Sequence, residues 1–290
     1  MSIVRRLDPA LRHLAAARID LSAETLPALR ESVNGRRREA AEGLDTTGVE
    51  ITEEVADGVP LRLYRGGTAG TVLFCHSGAF VLGNLDTDHR WCVEMARSVG
   101  CLVVSVDYRL APEHPHPAAL DDASAVLRVL AADPVVGRIA LAGNSAGGAL
   151  AALLAQRAAC GELPPVVFQL LHQPVLDDRM TPSKEEFVDT PGFDGQAVAL
   201  MWQYVSRDAA PARSAELSGV APALITCSEL DPLRDEAVDY ALRLMWAGVP
   251  VELHLYPGTC HGFDSFLPDW QLSRELFAVQ ATALRRALAG

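Results

Sequence analysis

The sequence predicts an α/β fold, a mostly parallel central sheet with helices on both faces, and three observations predict it. Beyond residue 70, short apolar runs alternate with segments of helical period. Those runs are apolar throughout rather than every second residue, as strands covered on both faces are. And a chain of 290 residues, 49% of them hydrophobic, is long enough to bury a substantial core.

Taken in order, Asp8-Pro9 is a helix start with Pro9 at the first helical position, and Leu11, Leu14 and Ala15 then share a face. A second helix carries Leu26, Leu29 and Val33 and ends in "GRRRE", read here as a solvated basic end. "VEITEEV" and "VPLRLYRG", joined through Asp57-Gly58, form a strand pair. "TVLFCH" follows, then a helix over 86–99, "CLVVSVD", a helix over 118–132, "RIALAG" and another helix. "VVFQLLHQPV", "PALITCS", a helix over 235–247, "VELHLYP" and a helix over 271–288 complete the alternation.

Residues 178–215 break that rhythm with the aromatic-rich "FVDTPGFDGQAVALMWQYV", which contains helix and no sheet strand. Long insertions in α/β enzymes commonly form lids. The expected organisation is therefore a helical cap from 1–45 and 178–215 over a core built from 46–177 and 216–290.

Composition limits the partners. A formal charge of −12 argues against nucleic acid or an anionic membrane surface. No run of about 18 apolar residues suggests a stable membrane insertion, and the first residues lack the pattern of a secretory leader. Cys75, Cys92, Cys101, Cys160, Cys227 and Cys260 are scattered, with no CxxC pair. Reduced thiols, no structural zinc and a cytoplasmic location are expected. A homodimer through "VELHLYPG" and the last helix is compatible with the sequence.

Gly143-Asn144-Ser145-Ala146-Gly147 fits G-x-S-x-G and stands where strand period gives way to helix period. A serine on so tight a corner projects its oxygen from the carboxyl end of the sheet. The helix that follows points its N-terminus at developing negative charge. Such a hydroxyl needs a base, and the base an orienting acid, in chain order Ser, Asp or Glu, His. His254 and His261 lie downstream. His254 falls within a strand, whereas His261 sits in the Gly-flanked loop "PGTCHGF", so His261 is the candidate base. For the acid, Asp231 directly follows an apolar run; Asp235 is the second choice, with Glu236 read as a helix first-turn residue. Asp264 is too near His261 along the chain. The turn "LFCHSGAFVLG" offers backbone N–H groups which, with that of Ala146, suit an oxyanion hole. His76 at its head is read as a brace for the turn. Phe187, Met201, Trp202 and Tyr204 of the insertion are candidates for lining a substrate pocket.

With those residues placed, the chain resembles the hormone-sensitive-lipase-like, family IV carboxylesterases of the α/β-hydrolase fold, over most of residues 71–265. "CHSGAFVLG" stands where that family has a His-Gly-Gly-Gly loop. "SVDYRLAPEHPHPAALDD", "GNSAGG", "DPLRDE" and "HGF" are similar to its remaining motifs in order. The resemblance implies Ser145 as nucleophile, Asp231 as acid, His261 as base, and Gly78, Ala79 and Ala146 as N–H donors. It implies Asp107, Arg109 and Glu113 as buttresses of the oxyanion loop. Ser77 and Ala79 replace the first and third glycines of the usual triple, so a left-handed Ala79 would be strained. Asn144 stands where the family has Asp or Thr. The implied activity is hydrolysis of short- to medium-chain acyl esters, with no metal or organic cofactor. Alternatives are a deacetylase or carbamate hydrolase of a specialised metabolite, a serine peptidase, and a non-catalytic small-molecule receptor of the same fold.

Overall fold

Eight strands form one sheet in the order β1-β2-β4-β3-β5-β6-β7-β8, in a computed structural model that describes residues 3–290. β1 (Glu50–Ala56) and β2 (Val59–Arg65) make an antiparallel hairpin, and β2 runs antiparallel to β4 (Leu102–Val106). From there to the far edge every neighbour is parallel: β3 (Thr71–Cys75), β5 (Ile139–Asn144), β6 (Phe168–His172), β7 (Ala223–Ser228) and β8 (Val251–Tyr256). β3 and β5 therefore end side by side, with Cys75 opposite Gly143.

The strict two-residue period of a strand sorts side chains to the two faces. Val72, Phe74, Val103, Ala140 and Ala142 join one cluster, with residues of α3 (His89–Val99) and α10 (Gln271–Ala289). Leu73, Cys75, Val104, Ile139 and Leu141 join the other, with α4 (Ala118–Ala132), α5 (Ala146–Ala159) and α8 (Arg234–Trp246). Five of the cysteines are buried and all six are free thiols. Burial pushes the Cys75 thiol up to about 12, so it behaves as a small apolar residue.

The N-terminal segment carries α1 (Ile3–Arg6) and α2 (Leu26–Glu42). The element that begins at Asp8-Pro9 is a short 3-10 helix, Pro9–Leu14, and not the α-helix expected. Its start is as read, since Asp8 accepts a hydrogen bond from the Ala10 amide at 2.9 Å. α3 begins three residues later than the sequence suggested, because Asp88 takes a left-handed conformation and ends a turn there. Residues 178–215 hold α6 (Pro182–Glu186), α7 (Gly195–Tyr204) and two 3-10 turns, and no strand of the sheet. The short α9 (Phe263–Phe266) follows β8. No helix among the described residues is long and apolar enough to cross a membrane.

Candidate active site

Ser145 occupies the corner between β5 and α5 with φ 54° and ψ −115°, a strained conformation for a residue with a side chain. Four backbone hydrogen bonds hold it: its amide donates to the His172 carbonyl (2.8 Å), and its carbonyl accepts from the Gly148 (2.9 Å), Val175 (3.1 Å) and Ala149 (3.3 Å) amides. The glycines of G-x-S-x-G are required by close approach. A Cβ at Gly147 would lie 1.9 Å from the carbonyl oxygen of Cys75 at the end of β3, and one at Gly143 would lie 2.1 Å from the carbonyl oxygen of Gly147.

The loops after β7 and β8 bring two residues to this corner from about a third of the chain away. His261 Nε2 lies 3.0 Å from Ser145 Oγ, and its Nδ1 lies 2.8 Å from Asp231 Oδ2. Asp231 is fully buried, and its second oxygen accepts from the Leu233 amide at 2.8 Å. The His261 loop is fixed by Gln173 Oε1, which accepts from the Gly262 amide at 2.7 Å, while Phe193 tilts against the imidazole with ring centroids 5.0 Å apart.

The other acids and the other downstream histidines, His172 and His254, are engaged elsewhere. Asp235 accepts from the Ser183 amide at 2.7 Å and so holds α6. Glu236 pairs with Lys184 of α6 in a buried ion pair and accepts from the Leu176 amide at 2.7 Å. Burial raises its carboxyl above the ordinary value, against the pull of Lys184. Asp264 sits 3.1 Å from His172 Nε2, and His254 pairs with Glu252. Sequence reading missed the His172–Asp264 contact, which joins positions 92 residues apart and has no local signature.

Next to Ser145 runs the loop after β3. Gly78 has φ 137°, Ala79 φ 54° and Phe80 φ 59°, so Ala79 does adopt the left-handed form. The turn closes through the Val81 and Leu82 amides, both donating to the Gly78 carbonyl. The Gly78, Ala79 and Ala146 amides have no protein acceptor among the described residues. His76 braces the turn through Nδ1, which donates to the Ser77 carbonyl at 2.8 Å. Burial pushes its pKa down to about 4, so the ring is neutral. Asp88 Oδ2 accepts from the Ser77 amide at 2.7 Å.

Of the three expected buttresses, Glu113 alone bears on this loop, and through an intermediary. It holds Arg30 of α2, whose Nε donates to the Val81 carbonyl and whose Nη2 donates to the Ala111 carbonyl, each at 2.6 Å. Arg109 instead makes a forked pair with Asp122 of α4, and Asp107 has no hydrogen bond to the loop among the described residues. Arg109 is thus spent on α4, and the Asp107 amide donates to the carbonyl of Pro60 in β2.

A cavity of about 150 Å³ opens over Ser145 and His261. Ile19 and Leu21 from the N-terminal segment, Phe193 from the insertion and Phe266 of α9 give it apolar walls. None of the four insertion residues proposed for it lines it. Phe187 is fully buried beneath the guanidinium groups of Arg6 and Arg234, 5.3 and 5.0 Å from its ring centre. Met201 is buried in the main core, Trp202 packs against that core, and Tyr204 Oη donates to the Leu21 carbonyl at 2.9 Å. The amphipathic face of α7 is spent on packing. Conversely, "GRRRE" is not wholly a solvated end: Arg36 and Arg38 are exposed, but Arg37 reaches the cavity. Among the described residues no group of three or more His, Cys, Asp or Glu is arranged to hold a metal ion.

Known proteins share this arrangement of chain. The family described as having the alpha/beta hydrolase fold matches residues 72–265. The chain is 43% identical to esterase LipI of Mycobacterium tuberculosis over 215 residues, covering 68% of this chain and 67% of that one. It is 42% identical to carboxylesterase NlhH of the same species, over 75% of this chain and 73% of the other. Among solved structures, esterase LipW from Mycobacterium marinum is 52% identical, with a TM-score of 0.93 over 99% of this chain and 98% of that one.

Proposed function

Because the chain belongs to the α/β-hydrolase fold family, within its hormone-sensitive-lipase-like carboxylic ester hydrolases, we propose that Ser145, His261 and Asp231 are its catalytic residues and that catalysis passes through an acyl-enzyme. One observation carries this reading: His261 stands with one ring nitrogen at the serine hydroxyl and the other at a buried carboxylate. A serine hydroxyl is a weak nucleophile at neutral pH, and an adjacent base is what activates it.

In the first half-reaction the Ser145 proton passes to His261 Nε2 as Oγ bonds to the ester carbonyl carbon. The carbonyl electron pair moves onto oxygen, where the free amides of Gly78, Ala79 and Ala146 receive it as an oxyanion. That pair returns, the bond to the alcohol oxygen breaks, and His261 gives its proton to the departing alkoxide. Water then loses a proton to His261 and attacks the acyl carbon; the bond to Oγ breaks, and the proton returns to Ser145. Asp231 keeps Nδ1 protonated and stabilises the imidazolium.

The small cavity with apolar walls supports short acyl groups. Ile19, Leu21 and Phe193 come from 1–45 and 178–215, which supports reading those segments as a cap. The test is Ser145→Ala, which should lose roughly 10⁴–10⁶-fold in kcat on a short-chain aryl ester. It should also lose labelling by a fluorophosphonate. Wild-type turnover by purified Ser145→Ala ends the proposal.

A further inference from the structure

Among the described residues, Arg37 is the one permanent cation that lines the Ser145 cavity. It also lines a second cavity of about 460 Å³, and the two share Arg37, Asp88, Asn144, Asp264 and Ser265. Arg37 thus stands where the space over the serine widens toward the outside. Its donors are nearly uncommitted. Nη1 donates to Thr87 Oγ1 at 2.7 Å, and no carboxylate lies within ion-pair distance among the described residues. A guanidinium carries five N–H donors, so four remain for something else.

The contrast with Arg30 on the same helix is informative. Seven residues earlier on that helix, Arg30 is held by both oxygens of Glu113 and by two carbonyls. Arg37 has none of this, although burial lowers its pKa, with Asp88 opposing. The two carboxylates of the cavity do not supply the missing partner. Asp88 already accepts from the Ser77 amide, and Asp264 is paired with His172. A half-buried, unpaired guanidinium is costly unless an anion completes it.

We propose that Arg37 is a specificity-determining residue that favours esters bearing a second, ionised carboxylate, which it holds at the junction of the two cavities while the ester carbonyl lies at Ser145. The inference rests on Ser145 being the nucleophile. A forked carboxylate contact uses two parallel N–H donors and fixes the substrate's orientation. The carboxylate belongs to either the acyl or the alcohol half, and the two are separable by experiment.

The measurement is a ratio, kcat/KM for an acidic ester over that for a neutral ester of similar size. Ethyl hydrogen succinate against ethyl valerate tests the acyl half, and acetoxyacetate against propyl acetate the alcohol half. A ratio cancels any loss of active fraction in a variant. In at least one pair, Arg37→Gln should lower the ratio by about 10- to 100-fold, the worth of a hydrogen bond to a charged group, and Arg37→Lys should restore part of it. A fall of at least fivefold in one pair, with that partial rescue, supports the inference. A smaller fall in both pairs, or a fall that Lys does not rescue, overturns it. If Ser145→Ala abolishes turnover of the neutral esters while the Arg37 ratios stay put, the catalytic assignment stands and this inference alone falls.

Discussion

Tyr108 Oη donates a 2.7 Å hydrogen bond to the carbonyl of His76, and its ring stacks on the His76 imidazole with centroids 4.1 Å apart. The imidazole is sealed from water, with Nδ1 on the Ser77 carbonyl and Nε2 lacking any partner among the described residues. Its pKa, pushed by burial from 6.5 to about 4, is therefore a statement about folding. Below 6.5 the unfolded chain takes a proton that the folded chain refuses until about 4. Stability from this group is thus intact above 6.5 and lost as pH falls toward 4, by up to about 3 kcal/mol. His76→Gln should flatten the dependence of the urea midpoint on pH between 6.5 and 5. An unchanged slope would mean that another group titrates there.

In the proposed reaction Asp231 touches no substrate atom, and its contact with Nδ1 sets which nitrogen of His261 carries the proton. Asp231→Asn keeps size and hydrogen bonding but favours the wrong tautomer. Turnover should fall by about 10⁴-fold with the fold intact. Circular dichroism alongside steady-state kinetics checks both halves, and a loss below tenfold contradicts the role.

Gly147→Ala places a methyl group 1.9 Å from the Cys75 carbonyl, between two backbones that cannot retreat separately. The cost should be about 3 kcal/mol or more, with activity lost as the Ser145 corner shifts. Chemical denaturation reads the first and an ester assay the second. A variant as stable and active as wild type would show that the corner is far softer than its packing implies.

Ala79→Gly runs the other way. At φ 54° the alanine side chain costs about 1–2 kcal/mol, and glycine would remove that while returning about 0.5–1 kcal/mol through the unfolded chain. The variant should be slightly more stable, by about 0.5–1 kcal/mol. A lower melting temperature would mean that the alanine methyl contributes packing that outweighs its strain.

What the sequence displayed was whatever local chemistry dictates. Ser145 was legible because a strand, a hydroxyl between glycines and a helix occur in that order, and Asp231 and His261 because each follows an apolar run at a loop. The walls of the cavity were not legible in the same way. Phe187 and Met201 are apolar for packing, and nothing in their spacing separates core from pocket. Arg37 sits in a run of three arginines, and only the rotation of α2 against the loop after β3 decides that the middle one turns inward. Arg109 and Asp107 were assigned from a motif whose chain path, once folded, carries them toward α4 and β2 instead.

Lys184 and Glu236 join α6 to the first turn of α8, five residues beyond Asp231, with both charges out of water. Through Ser183 and Lys184, α6 is thus tied to the same short stretch of chain, 231–236, that carries Asp231. Neutralising either partner of the Lys184–Glu236 pair alone would strand the other charge in a dry interior, so α6 keeps its seat on α8 only as long as both are present.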